Sequence, residues 1–333
     1  MPSHTRCDYV LRSAFIDRDG EVYACCHRAP VGYGNIASAH LLDILRRPAA
    51  CAARDRSREG SLECFASCNL LDYRVKHGPP PAAVDRDPQP AIRKLTLSLG
   101  WFCNVDCVMC PQDHKERVFL DVDVLRRHVP WEIVEEIIFE GGEPLAAPQV
   151  HALWDHVASL GKPVNFCTNG LVANPSIADR IARQCDYLYI SFNAATAETY
   201  ERVVRKGRWR LLLRNVEMVL NARERSGSGL KLIGHFTIVE ENLREIPRFL
   251  ELMGSLGFDI ANFGYNRMAM MGRPIDAMLD SDPSLRSQLG REIRDAIRRA
   301  SPSLAVDTSR LCYLGLLDPG EPCCGRIVEP SGM

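Results

Sequence analysis

From residue 94 onward, short apolar runs alternate with longer amphipathic ones, and nothing else in the chain constrains the fold as tightly. Strands are expected at 94–99, 136–139, 164–167, 187–192, 230–239 and 259–263. Helices are expected between them at 149–160, 175–184, 198–225 (with a break near Gly207) and 243–256, and a last one at 282–300 before a short strand. In 149–160, Val150, Leu153, Val157 and Leu160 make one helical face, and Gly161 is placed to cap it. Alternation of this kind argues for a parallel α/β sheet, because parallel neighbours need a crossover connection between them. Upstream, Gly78-Pro79-Pro80-Pro81 and Asp87-Pro88-Gln89-Pro90 stop helix and strand alike, so residues 1 to about 75 read as a separate unit.

Just past the first expected strand stands Cys103-Asn104-Val105-Asp106-Cys107-Val108-Met109-Cys110, a C-x3-C-x2-C spacing. Soft thiolates suit iron–sulfur clusters. A cubane cluster has four irons. Three local cysteines therefore leave one iron open to a small molecule and to electron transfer. The competing reading, a structural zinc knuckle, needs a fourth ligand, and His114 is the one within reach.

These features resemble the radical S-adenosylmethionine (radical SAM) enzymes. Gly141-Gly142-Glu143-Pro144 follows Ile137, Ile138 and Phe139, as the GGEP motif follows the second strand of that family. Thr168-Asn169-Gly170 follows the third strand, and Ser191, Phe192 and Asn193 end the fourth. Met109 stands where the family often has an aromatic residue; a thioether is polarizable enough to lie beside an adenine. The resemblance implies an α/β fold, a partial (β/α)6 TIM-like barrel with small Cys-rich iron–sulfur modules at the N- and C-termini. It implies a 4Fe-4S cluster on Cys103, Cys107 and Cys110 that binds S-adenosyl-L-methionine and cleaves it reductively to a 5'-deoxyadenosyl radical. It places Gly141, Gly142, Glu143 and Pro144 near the methionine amino group, and Ser191 and Asn193 near ribose hydroxyls or the carboxylate. Thr168 and Asn169 read equally as cofactor ligands or turn formers. A flavodoxin- or ferredoxin-type electron donor is implied as partner.

The N-terminal cysteines resemble the SPASM auxiliary iron–sulfur module. Asp19-Gly20 between short apolar segments signals a hairpin, so Cys25 and Cys26 leave it on opposite faces. Cys7, one of Cys25 or Cys26, Cys64 and Cys68 make four ligands for an auxiliary cluster, a set that also suits tetrahedral zinc. The implied domains are 1–78 (SPASM-like), 79–92 (Pro-rich linker), 93–300 (radical SAM barrel) and 301–333 (a Cys-bearing, shortened SPASM-like tail). In the tail, Cys312, Cys323 and Cys324 read three ways: a second auxiliary cluster, a catalytic hydrogen-donor thiol, or a structural remnant. Cys167 and Cys185 read as buried small hydrophobes.

Net charge is −1, which gives no basic excess for nucleic acid. No apolar run is long enough to span a bilayer and no signal-peptide core opens the chain, so a cytoplasmic protein is expected. In a reducing cytosol, fourteen cysteines point to metal rather than disulfides. The expected substrate is a small polar metabolite (a sugar, aminocyclitol or nucleoside of natural-product biosynthesis) that is oxidised, epimerised or decarboxylated. A peptide- or protein-modifying maturase is the alternative, and a non-enzymatic iron–sulfur carrier or redox sensor is the alternative of another class. His235, Thr237, Asn262, Tyr265, Asn266 and Arg267 are further candidates at the strand ends.

Overall fold

The computed structural model describes residues 7–71, 92–267 and 272–318. Its strands are β1 (Ser13–Ile16), β2 (Glu21–Tyr23), β3 (Gly34–Asn35), β4 (Lys94–Leu97), β5 (Asp106–Cys107), β6 (Glu136–Phe139), β7 (Val164–Thr168), β8 (Tyr187–Ser191), β9 (Val204–Arg205), β10 (Lys231–Ile238), β11 (Ile260–Tyr265) and β12 (Ala305–Val306). Its α-helices are α1 (Asp8–Arg12), α2 (Leu41–Leu45), α3 (Pro48–Glu59), α4 (Val122–His128), α5 (Pro148–Ser159), α6 (Pro175–Gln184), α7 (Ala197–Val203), α8 (Trp209–Ser226), α9 (Ile246–Leu256), α10 (Ile275–Ser281), α11 (Pro283–Arg299) and α12 (Ser309–Tyr313). The chain falls into two compact units. One holds 7–71, 92–102 and 115–166; the other holds 103–114, 167–267 and 272–318.

In the first unit β4 lies between β1 and β6, parallel to both, with Ser13 opposite Lys94 and Lys94 opposite Glu136. β6 continues the parallel run onto the start of β7, and β2 and β3 extend β1 antiparallel. The hairpin expected at Asp19-Gly20 is present. Asp17 Oδ1 accepts the N–H groups of Asp19 and Glu21, both at 3.0 Å, which closes the turn. The six expected main strands all form: β6 has the expected limits, and no end of the others moves by more than two residues. Helix α5 buries Val150, Leu153, Trp154 and Val157, and Trp154 packs on Phe166 at 4.7 Å between ring centroids. Leu160 does not join that face; it follows the last helical residue and is 46% exposed.

Three helices of this unit were not expected, α1, α3 and α4, and neither was the pairing of β1 with β4. β1 has four residues, Ser-Ala-Phe-Ile, too few to carry a period. Its partner lies about eighty positions downstream, and that pairing has no local signal.

In the second unit β10 is the centre, parallel to β8 on one side and β11 on the other, with β12 beyond β11. Helix α9 buries Ile246, Phe249, Leu250 and Met253, and Phe249 meets Phe236 at 4.9 Å and Phe263 at 5.7 Å. The helix expected at 198–225 is two helices, α7 and α8. Residues 204–205 leave the helix to form β9, which pairs antiparallel with β5 in the cysteine loop. The one expected at 282–300 runs from Pro283, with Asp282 as its N-cap: its Oδ1 accepts Leu285 N–H at 2.9 Å. The expected linker 79–92 lies, apart from Ile92, outside the described residues, as do Cys323 and Cys324.

Candidate metal and cofactor site

The cysteine loop belongs to the second unit and is fastened along its length. β5 pairs Cys107 with Val204 and Asp106 with Arg205. Val108 N–H donates to Val203 O at 2.9 Å, and Arg205 Nε donates to Asp106 O at 3.0 Å. At the loop's start Cys103 N–H donates to His114 O at 3.2 Å. The three cysteines are free thiols and half-buried. Burial pushes the Cys107 thiol up to about 12, and negative charge on Cys103 and Cys110 adds to the rise. Burial raises Cys110 as well. The trio is thus a set of soft donors close enough to repel one another when ionised, and bound cationic iron relieves that repulsion. Among the described residues no three His, Cys, Asp or Glu side chains close around a single ion position. A cluster spreads its ligands over several irons, so its thiols need not meet at one point. His114, the fourth ligand of the zinc reading, has its Nε2 3.7 Å from Asp106 Oδ1.

Thr168 and Asn169 form the turn after β7 and reach the loop. Thr168 Oγ1 accepts Gly170 N–H at 3.1 Å, and Asn169 Oδ1 accepts Leu171 N–H at 2.9 Å. The other end of the amide, Nδ2, donates to Asn104 Oδ1 at 2.6 Å and lies 3.6 Å from Cys103 Sγ. Asn104 carries no signal of its own in the sequence; the partner that gives it a role is 65 positions away.

The Gly-Gly-Glu-Pro turn belongs to the first unit, where the glycines have a scaffold role. A Cβ on Gly142 would stand 2.0 Å from Phe102 O, and Gly141 has φ +88° with room for no Cβ beside Ser98 Oγ. The turn therefore lies directly on the backbone that follows β4, and Glu143 N–H donates to Phe102 O at 2.8 Å. Glu143 is buried, and its Oε1 accepts Leu145 N–H at 3.0 Å, capping a single 3-10 turn, Pro144–Ala146. Arg117 lies over the Phe102 ring at 4.3 Å and Arg18 over Trp101 at 3.6 Å; neither arginine was foreseen.

Cys7, Cys25, Cys64 and Cys68 lie near enough in the first unit for their charges to act on Cys7. Burial pushes the Cys7 thiol up to about 12, and the charges of Cys68, Cys25 and Cys64 add to it. Burial likewise raises Cys25, with further contributions from Cys68 and Cys64. Cys26 is exposed, so Cys25 is the member of the pair that turns inward. Ser57 of α3 fixes Cys7 by two bonds: its Oγ accepts Cys7 N–H at 3.0 Å and donates to Cys7 O at 3.2 Å. Cys51 stands apart, its thiol on Arg46 O at 3.4 Å and Arg54 at 3.2 Å.

At the strand ends of the second unit, Asn193 Oδ1 accepts Thr237 N–H at 2.8 Å, and Asn193 O accepts from Asn242 Nδ2 at 2.9 Å. Asn193 has φ +55°, so it serves here as a backbone-shaping residue. Ser191 ends β8 opposite His235. His235 Nδ1 meets Asn262 Oδ1 at 2.7 Å, Nε2 meets Thr237 Oγ1 at 3.2 Å, and Asn262 Nδ2 donates to Asp307 Oδ2 at 2.7 Å. Burial holds the imidazole below its ordinary pKa. Cys312 is buried on α12. Cys185 is buried as expected, but Cys167 is half-buried.

Residues 97–253 match the family model of the radical SAM superfamily, and residues 7–69 match that of the iron–sulfur cluster-binding domain SPASM. Mycofactocin maturase MftC of Mycobacterium tuberculosis is 27% identical over 205 residues, covering 59% of this chain and 49% of the relative. Pre-heme d1 synthase of Dinoroseobacter shibae is 29% identical over 223 residues, covering 63% and 50%. PqqA peptide cyclase of Gluconobacter oxydans is 28% identical over 263 residues, covering 74% and 69%. The chain spans about half the length of the curated maturases it matches. Among the described residues no helix is long and apolar enough to cross a membrane. With the GGEP turn following β6 and the thiol trio fastened in its loop, residues 97–253 are a radical SAM domain, and a SPASM domain stands ahead of them at residues 7–69.

Proposed function

We propose that the chain is a peptide-modifying radical SAM enzyme with an auxiliary iron–sulfur cluster. The observation that carries the chemistry is the thiol trio: Cys107 half-buried near Cys103 and Cys110 on a loop pinned by β9. Likeness to a mycofactocin maturase and a PqqA peptide cyclase, the second over 74% of this chain, supports a peptide substrate over the small metabolite expected from the sequence. The pre-heme d1 synthase likeness keeps the small-molecule reading as the one to separate experimentally.

Cys103, Cys107 and Cys110 would hold a 4Fe-4S cluster, and Cys7, Cys25, Cys64 and Cys68 the auxiliary one. With S-adenosylmethionine bound, the group held by Cys103, Cys107 and Cys110 would supply reductive cleavage of that cofactor for hydrogen-atom abstraction from a substrate carbon. Asn169 steadies the loop through Asn104 and Cys103. Glu143 orients the GGEP turn and is assigned the methionine amine as a second acceptor duty. Ser191 is assigned the ribose. A flavodoxin or ferredoxin serves as electron donor.

The test uses anaerobically reconstituted, reduced protein with S-adenosylmethionine and a precursor peptide encoded beside it. The expected result is 5'-deoxyadenosine that increases with peptide, together with a mass change in the peptide. Peptide-independent 5'-deoxyadenosine, with turnover of a sugar or nucleoside instead, overturns the peptide reading. No 5'-deoxyadenosine under any condition overturns the enzyme reading.

A further inference from the structure

Tyr33 follows the turn after Cys25. Its backbone is pinned by Tyr33 N–H donating to Val22 O at 2.8 Å. Its side chain is 3% exposed, and among the described residues its hydroxyl has no hydrogen-bond partner. Buried tyrosine hydroxyls almost always have one. Burial raises the Tyr33 pKa, the Arg54 guanidinium opposes the rise, and Cys25, Cys7 and Cys64 add to it. Arg54 is itself engaged, donating to Leu45 O at 2.7 Å and to Cys51 Sγ at 3.2 Å. Three of the four candidate ligand cysteines are therefore near enough to act on a buried phenol that has no acceptor among the described residues. A protonated phenol is a donor, and a cluster held by those cysteines presents sulfur acceptors.

We propose that Tyr33 donates its O–H to a sulfur of the auxiliary cluster, a bridging sulfide or a ligand thiolate, and holds that cluster's reduction potential up. A hydrogen bond to a cluster sulfur withdraws electron density and favours the reduced state, which carries one more negative charge. Tyr33 is a positioning and tuning residue in this role, and it touches no substrate. The inference rests on the reading that Cys7, Cys25, Cys64 and Cys68 hold a cluster.

The test isolates that cluster in a Cys103→Ala/Cys107→Ala/Cys110→Ala background of the full chain, reconstituted anaerobically. Residual iron in this background checks the underlying reading, and its absence overturns both claims. With iron present, Tyr33→Phe is expected to keep the iron content and to shift the midpoint potential, followed by EPR, to more negative values. A deuteron coupling to the reduced cluster in D2O is expected in the parent and absent in Tyr33→Phe. Equal midpoints and equal couplings overturn the Tyr33 role alone. If Tyr33→Phe loses iron, 3-fluorotyrosine placed at position 33 decides: it keeps the ring and strengthens the donor, so a positive shift supports the proposal and an unchanged potential overturns it.

Discussion

Cys25 and Cys26 are neighbours with opposite surroundings. Cys25 follows the hairpin and is half-buried, while Cys26 is exposed. Alternation at the end of an extended run requires that only one of the two points inward, and the sequence alone does not say which. Cys25→Ser is therefore expected to lose the iron of the auxiliary cluster, and Cys26→Ser to keep it, both read as iron and sulfide per chain. The reverse result would move the ligand to Cys26. The legible part of the site is the part written locally: Cys103, Cys107 and Cys110 within eight positions, and Gly141 to Pro144 in one turn. The illegible part is long-range. Ser57 holds Cys7 from 50 positions away and Asn104 holds Asn169 from 65, and serine or asparagine in a loop has many uses.

Among the elements, the six main strands and the longer helices follow from period and caps, as in α6, whose limits match the expected 175–184. The split between α7 and α8 was legible as a weak point at Gly207 but not as a purpose. Its purpose is β9, two residues that give the cysteine loop a hydrogen-bonded partner. The GGEP turn is a similar case: its glycines permit a close approach to the chain's own backbone at Phe102. Gly142→Ala puts a methyl carbon 2.0 Å from Phe102 O and 2.7 Å from the backbone carbons of Trp101 and Phe102, where no side chain can swing aside. The turn must shift, at a cost of about 1–3 kcal/mol, the range typical of overpacking. Urea unfolding is expected to show that loss. Cluster iron on Cys103, Cys107 and Cys110 should remain, while 5'-deoxyadenosine formation falls. Unchanged unfolding midpoints would mean that the close approach is not made in solution.

Across the whole molecule, the buried thiols proposed as iron ligands also tie the fold's stability to pH. Cys7 in the first unit and Cys107 in the second are each pushed up to about 12, burial being the largest cause in both. A thiol whose folded pKa is above its unfolded value near 9 contributes stability that is complete below the unfolded pKa. As pH rises from there toward the folded value, the unfolded chain ionises first and the contribution drains away. Metal-free, reduced protein is therefore expected to lose stability between pH 9 and 12, most usefully measured near the lower end, where lysines and tyrosines are still largely protonated. A Cys7→Ser/Cys107→Ser chain has no thiol to ionise at either position and should lose less over the same interval. Iron-loaded protein should not show the effect either, because its ligand sulfurs are already thiolates paired with cationic metal. The measurement is urea unfolding of the three proteins at matched pH under reductant. Parallel pH profiles for the metal-free parent and the serine variant would show that these thiols are solvated in solution and that burial is not what the metal must overcome.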